Sequence, residues 1–160
     1  MQLNTHNKDE YPPMHTAEHI LNQTMVRMFG CCRSKNAHIE RKKSKINFPL
    51  PEEPSAEQIA QIEQTVNEII QKDYHVEYQF VTKDTIPAGV EIDKLPDVAS
   101  ETIRLVKIGD YDLCCCIGKH VERTKEIGEF KINSTSYING NFRIVFKLIG
   151  AADKYYGDII

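Results

Sequence analysis

No stretch of this 160-residue sequence approaches the ~20 consecutive apolar residues that a membrane-spanning helix needs. That excludes a helical membrane protein. The start, Met1-Gln2-Leu3-Asn4-Thr5-His6, lacks the charged opening and apolar stretch of a signal peptide, so the expected location is the cytoplasm. An even set of cysteines is missing as well. The five present are Cys31, Cys32, Cys114, Cys115 and Cys116, in two tight clusters. Such a set makes a poor disulfide framework, and free thiols or metal ligands fit better. The chain has no surplus of positive charge: its net charge is −3. This argues against broad electrostatic binding of nucleic acid, while leaving room for a local basic patch against a phosphate backbone. Internal repeats and low-complexity segments are absent too.

What is present suits one globular domain spanning 1–160, long enough for a real core. Its hydrophobic content of 41% and charged content of 27% are ordinary. Residues 1–13 read as a polar lead-in. From Met14 to Phe29, the residues Met14, Ala17, Leu21, Met25 and Met28 recur at helical spacing, with Gly30 as a stop. Lys35–Ile39 and Ser44–Phe48 read as strands around Arg41-Lys42-Lys43. Pro49, Pro51 and Pro54 make a rigid linker. Ser55 and Gln58 form a capping box ahead of a helix over 56–72, with Ile59, Ile62, Val66, Ile69 and Ile70 as its stripe. His75–Val81 alternates, which predicts a half-buried strand with Val76, Tyr78 and Phe80 on one face. Residues 82–99 read as irregular. Strands are expected at Thr102–Ile108 and Leu113–Ile117, the first followed by a turn at Gly109-Asp110. Phe130–Ile138 and Phe142–Leu148 flank the hairpin signal Asn139-Gly140-Asn141. Together these predict an α+β domain of two layers, with helices packed on a largely antiparallel sheet.

The chemistry gathers in two short segments. In His15-Thr-Ala-Glu-His19 two imidazoles stand four residues apart, one turn apart on one helix face. In Cys116-Ile-Gly-Lys-His120 a thiolate and a third imidazole stand at similar spacing. Zinc takes four N/S ligands in a tetrahedron, and these two pairs supply them. On a strand, Cys114 and Cys116 share a face and Cys115 points away. Cys116 has the C-x-x-x-H spacing to His120 and is the expected ligand, with Cys114 as the alternative. Glu18 also makes His15–His19 an H-x-x-E-H motif, as in inverted zinc proteases, where the glutamate is a general base. Those sites need a distal carboxylate ligand, and none is marked here. Glu18 is read instead as a solvated helix residue. Cys31 and Cys32 read as buried small apolar residues rather than as a second metal site.

His-Thr-Ala-x-His followed by Ile-Leu, then Cys-x-Gly-x-His-Val, resembles the editing domain shared by alanyl- and threonyl-tRNA synthetases and the freestanding alanyl-tRNA editing proteins. Ile62-Glu63-x-x-Val66-Asn67, Thr124-Lys-Glu-Ile127-Gly128-Glu-Phe130-Lys-Ile132, Asn141-Phe142-Arg143-Ile144 and His38-Ile-Glu-Arg-Lys-Lys-Ser44 extend the likeness from about His15 to Gly150. The family's usual Cys-Gly-Gly-Thr-His is Cys116-Ile117-Gly118-Lys119-His120 here. The acidic residue usually two before the metal cysteine is Cys114, so Asp112 would take that place only if Cys114 were the ligand or two residues were inserted.

The resemblance implies a zinc-dependent, trans-acting aminoacyl-tRNA deacylase. Such a carboxylic ester hydrolase clears mischarged tRNA without ATP, with Ser-tRNA(Ala) as its expected substrate. The zinc ligands would be His15, His19, Cys116 and His120. Glu18, Lys119 and Asp112 are the candidates for catalytic groups. Thr16, Thr24 and Ser44 are candidates for reading a serine hydroxyl. Arg41, Lys42, Lys43, Lys45, Lys119 and Arg143 are candidate phosphate contacts. A zinc metallopeptidase-like hydrolase, and a non-catalytic domain with structural zinc that binds tRNA or a partner, are the competing readings.

Overall fold

The computed structural model describes residues 11–82, 85 and 102–152. In chain order the elements are α1 (Pro12–Phe29), β1 (Asn36–His38), β2 (Ser44–Pro49), α2 (Ala56–Gln71), β3 (Val76–Thr82), β4 (Thr102–Ile108), β5 (Asp112–Cys115), a 3₁₀ turn (Thr124–Ile127), β6 (Glu129–Ile138) and β7 (Asn141–Ile149). One sheet has the order β1-β2-β7-β6 and the other β3-β4-β5. All pairings are antiparallel. The expected α+β class is the one found, with the strands divided between two sheets. No helix among the described residues is long and apolar enough to cross a membrane.

The first helix starts earlier than its apolar stripe suggests. Pro12 and Pro13 occupy the first turn, where no amide needs an intrahelical acceptor. The amides of Met14 and His15 both donate to the Tyr11 carbonyl at 3.1 Å. The polar lead-in therefore gives way to buried helix at Pro12. Gly30, with φ 68°, closes α1 and donates to Val26 O. The stripe of Met14, Ala17, Leu21 and Met25 is fully buried, but so are Thr16, His19, Asn22 and Thr24. α1 is enclosed on most sides, which is how polar side chains come to sit inside.

The second helix carries the expected capping box: Gln58 N donates to Ser55 Oγ, and Ser55 N donates to Gln58 Oε1. Its polar residues fasten it to the sheet. Asn67 donates to Phe130 O at 2.9 Å and accepts from Phe130 N at 2.8 Å. Glu63 accepts from Ile132 N at 2.7 Å. Amides of the edge strand β6 thus find partners on α2. Asn139 and Gly140 both take positive φ, 51° and 79°, as a two-residue type I′ hairpin requires. Ile46, Phe48, Phe130, Phe142, Ile144 and Phe146 form the inner face of the larger sheet under both helices.

Three further expectations need correction, and one cannot be compared. Cys31 is only partly buried and Cys32 is exposed, although both read as buried in the sequence. β3 is not half-buried along its length: Val76 is buried, but Tyr78 is 42% and Phe80 67% exposed. Alternation correctly puts them on one face, but the core ends after Val76. The strand expected to carry Cys116 ends at Cys115, so Cys116 opens the following loop. The irregular reading of 82–99 falls almost entirely outside the described residues, with Thr82 closing β3.

Candidate metal centre

The HxxxH pair lies in the first two turns of α1, and the Cys/His pair in the loop after β5. One ligand atom from each of His15, His19, Cys116 and His120 falls within 4.8 Å of all the others. The His15 and His120 rings stack at 4.2 Å between centroids, and His19 stands edge-on to both, at 5.1 Å and 4.5 Å.

Hydrogen bonds fix which ring atoms face inward. Lys119 O can only accept, so His15 Nδ1, 3.1 Å away, carries the proton. In the neutral ring, His15 Nε2 is then a lone pair, and it lies 3.3 Å from Cys116 Sγ. His120 Nδ1 pairs with Thr16 Oγ1 at 2.9 Å, and the same oxygen accepts from Val121 N at 3.2 Å. His120 Nε2 is buried and has no hydrogen-bond partner among the described residues. His19 Nδ1 lies 3.6 Å from Asp112 Oδ2, just beyond hydrogen-bond reach. Asp112 is held in turn by the Arg33 guanidinium, at 2.6 Å and 3.3 Å. Gly118 N donates to Cys116 Sγ at 3.4 Å.

The electrostatics agree with this geometry. Burial pushes the Cys116 thiol up, but the imidazoles of His120, His15 and His19 bring it far below its ordinary value, which favours the thiolate. Burial, followed by the charge of His19, lowers His120 to about 3 and keeps it neutral. Burial opposes a charge on His19, yet Asp112, Cys114 and Cys116 raise its pKa well above the ordinary imidazole value. Burial likewise opposes charge on Asp112, but His19 and Arg33 hold it ionised. A thiolate and inward-facing imidazole lone pairs repel one another unless a proton or a metal cation lies among them. Donors 2.0–2.3 Å from a tetrahedral zinc would be roughly 3.3–3.8 Å apart, and the 3.3 Å between His15 and Cys116 falls at that spacing. The donor set fits zinc.

The other sequence candidates are dispersed. Glu18 is not solvated: enclosure of α1 buries it, and Asn22 Nδ2 donates to its carboxylate at 2.5 Å. It lies outside the converging set. Lys119 contributes its carbonyl, while its side chain is exposed. Asp112 stands behind His19. Arg41 stacks on the Tyr11 ring at 4.4 Å, and Lys42 and Lys43 are exposed in the β1–β2 turn. Strand register puts Lys45 and Arg143 on the outer face of the larger sheet, opposite the helices, and Arg143 donates to Asn47 Oδ1 at 3.1 Å. The hydroxyls of Thr16, Thr24 and Ser44 are all buried and engaged internally.

Two arginines went unnoticed in the sequence. Arg33 braces Asp112 from 79 positions away. Arg104, on β4, donates to Cys116 O at 2.8 Å and to Gly118 O at 2.5 Å, fixing the loop that presents the thiolate. Alternation on β4 marks Arg104 only as sharing a face with Val106.

Residues 103–148 match the family described as the Threonyl and Alanyl tRNA synthetase second additional domain. The chain is 30% identical over 138 residues to an alanine-tRNA ligase of Pseudoalteromonas translucida, covering 86% of this chain and 16% of that protein. It is 32% identical over 137 residues to that of Caldicellulosiruptor saccharolyticus, covering 85% and 16%. With that of Idiomarina loihiensis the identity is 25% over 156 residues, covering 97% and 18%. The chain thus spans about one sixth of the length of these relatives. In sequence, then, the chain is similar to the threonyl and alanyl tRNA synthetase second additional domain at residues 103–148 and to alanine-tRNA ligases over most of its own length.

Proposed function

We propose that this chain is a zinc-dependent hydrolase that acts in trans on mischarged tRNA, removing serine from Ser-tRNA(Ala). The observation that carries the reading is the convergence of His15, His19, Cys116 and His120, in a chain similar to alanine-tRNA ligases. Zinc would be held by His15 Nε2, His120 Nε2, Cys116 Sγ and His19. With His19 Nδ1 turned to Asp112, Nε2 is the nitrogen left for the metal. When bound, zinc supplies a positive charge that can polarise an ester carbonyl or a nearby water.

The protein's own part is positioning. The ester is already activated, so the site must orient it and shield a developing oxyanion. Lys119 O and Thr16 fix the orientation of two imidazoles, and Arg104 fixes the loop that offers the thiolate. Discrimination by a serine hydroxyl follows the rule that a site built to hydrogen-bond a group rejects the analogue lacking it. That contact falls to groups other than Thr16, Thr24 and Ser44, which are already engaged. Arg41, Lys42, Lys43, Lys45 and Arg143 are the proposed phosphate contacts. The peptidase reading asks Glu18 to act as a base, and its burial against Asn22 counts against that.

The test is hydrolysis of Ser-, Gly- and Ala-charged tRNA(Ala) and of Ser-charged tRNA(Thr) by the purified protein. Selective loss of Ser-tRNA(Ala) is expected; no loss of any mischarged ester would sink the reading. Glu18→Gln should retain deacylation.

A further inference from the structure

The face of the smaller sheet that leads to Cys116 does not end there. Phe80 pairs with Arg104 across β3 and β4. Cys116 follows the last β4–β5 pair, Leu105 with Cys115, and its amide donates to Arg104 O. Phe80, Arg104 and Cys116 therefore form one row across the sheet, and Tyr78, Val106 and Cys114 form the next. At ~4.8 Å per strand, the backbone of Phe80 stands about 10 Å across the sheet from that of Cys116. At the far end of the row, the rings lie open at 67% for Phe80 and 42% for Tyr78. Arg104 joins the two ends: its guanidinium holds the carbonyls of Cys116 and Gly118 and lies 4.6 Å over the Tyr78 ring.

We propose that Phe80 and Tyr78 are a stacking platform for the unpaired 3′-terminal nucleotides of the tRNA whose ester enters the metal centre. The proposal rests on the deacylase reading above. A substrate ester on the terminal ribose brings unpaired bases within about one nucleotide of the hydrolytic centre. Single-stranded bases are typically held on exposed aromatic rings, without sequence readout. The platform lies on the same face as the metal centre, and Arg104 ties the two rigidly together. It would place the ester by gripping the nucleotides next to it, a task that Lys45 and Arg143, on the outer face of the other sheet, are badly sited to perform.

The test uses the full-length chain with zinc bound. Kinetics of Ser-tRNA(Ala) deacylation are compared for wild type, Phe80→Ala, Tyr78→Ala and Phe80→Trp. In parallel, a short RNA ending in CCA, with 2-aminopurine as its last base, reports stacking by fluorescence quenching. Phe80→Ala should raise KM roughly 5- to 100-fold with kcat little changed. It should abolish the quenching and leave zinc content intact, while Phe80→Trp keeps wild-type behaviour. Wild-type deacylation with an unchanged KM in both alanine variants would overturn the platform and leave the deacylase standing. The absence of any wild-type deacylation would overturn the deacylase reading and the platform with it. If Phe80→Ala instead split a dimer in sedimentation, with KM and quenching unchanged, the rings would be a self-association surface and the proposal would fail.

Discussion

Residue by residue, the candidate centre separates into what spacing shows and what only folding supplies. His15, His19 and the Cys116/His120 pair stand out in the sequence because each pair is local: one helical turn in one case, a five-residue loop in the other. The choice between Cys114 and Cys116 is sharper in the structure. Cys116 Sγ faces His15 Nε2, and Cys114 Sγ donates to the carbonyl of Cys115. Zinc stoichiometry by metal analysis should fall from about one to near zero in Cys116→Ala and stay near one in Cys114→Ala; the reverse pattern would move the ligand to Cys114. Asp112 drew notice only through the family pattern and its partner Arg33 not at all, because their pairing joins distant segments. Asp112→Asn should weaken zinc binding about 10- to 100-fold, since the carboxylate orients a ligand imidazole. It also leaves the buried Arg33 charge without its partner and should cost about 3–5 kcal/mol in chemical denaturation. Unchanged affinity in a competition titration against a zinc chelator would show that His19 orients itself.

At the scale of elements, much of the family likeness outside the metal residues is mechanical. Thr124 receives the Tyr74 amide and donates to the carbonyls of Ile70 and Ile69, closing the end of α2. Gly128 takes φ 86° and passes so close to the backbone of 149–151 that a Cβ would collide with it. Glu63 and Asn67, named in the sequence only as part of the family likeness, dock α2 on β6. Asn67→Ala strands both backbone groups of Phe130 and should destabilise the chain by about 1–3 kcal/mol. The exposed Gln61→Ala should stay within about 0.5 kcal/mol. Equal midpoints in urea for the two variants would show that the docking bonds carry no net stability. β3 shows the opposite lesson. Its alternation tells which residues share a face, and nothing in a period of two tells where the core beneath that face stops. Tyr78 and Phe80 read as core in the sequence and stand open in the fold.

For the molecule as a whole, the centre is a cross-link as well as a site. Its two halves are about a hundred residues apart in sequence, 101 between His15 and Cys116. One lies on the helix under the larger sheet, the other at the end of the smaller one. A cation that binds the folded chain and not the unfolded one stabilises it by RT ln(1 + [L]/Kd), or about 4 kcal/mol at a thousandfold excess over Kd. For a chain of this size, 1 kcal/mol shifts the melting temperature by about 2–4 °C. Chelation should therefore lower the melting temperature by roughly 8–16 °C in calorimetry, and added zinc should restore it. His120→Ala should melt near the chelated wild type and respond little to chelator, because its coordination is already broken. Phe80→Ala, whose ring is mostly solvent-exposed, should show the full wild-type response. A wild-type melting curve indifferent to chelator and to added zinc would mean that the four side chains converge without binding metal. The repulsion between a thiolate and lone-pair nitrogens would then have to be relieved by a proton, which Asp112, Cys114 and Cys116 favour on His19 against the cost of its burial.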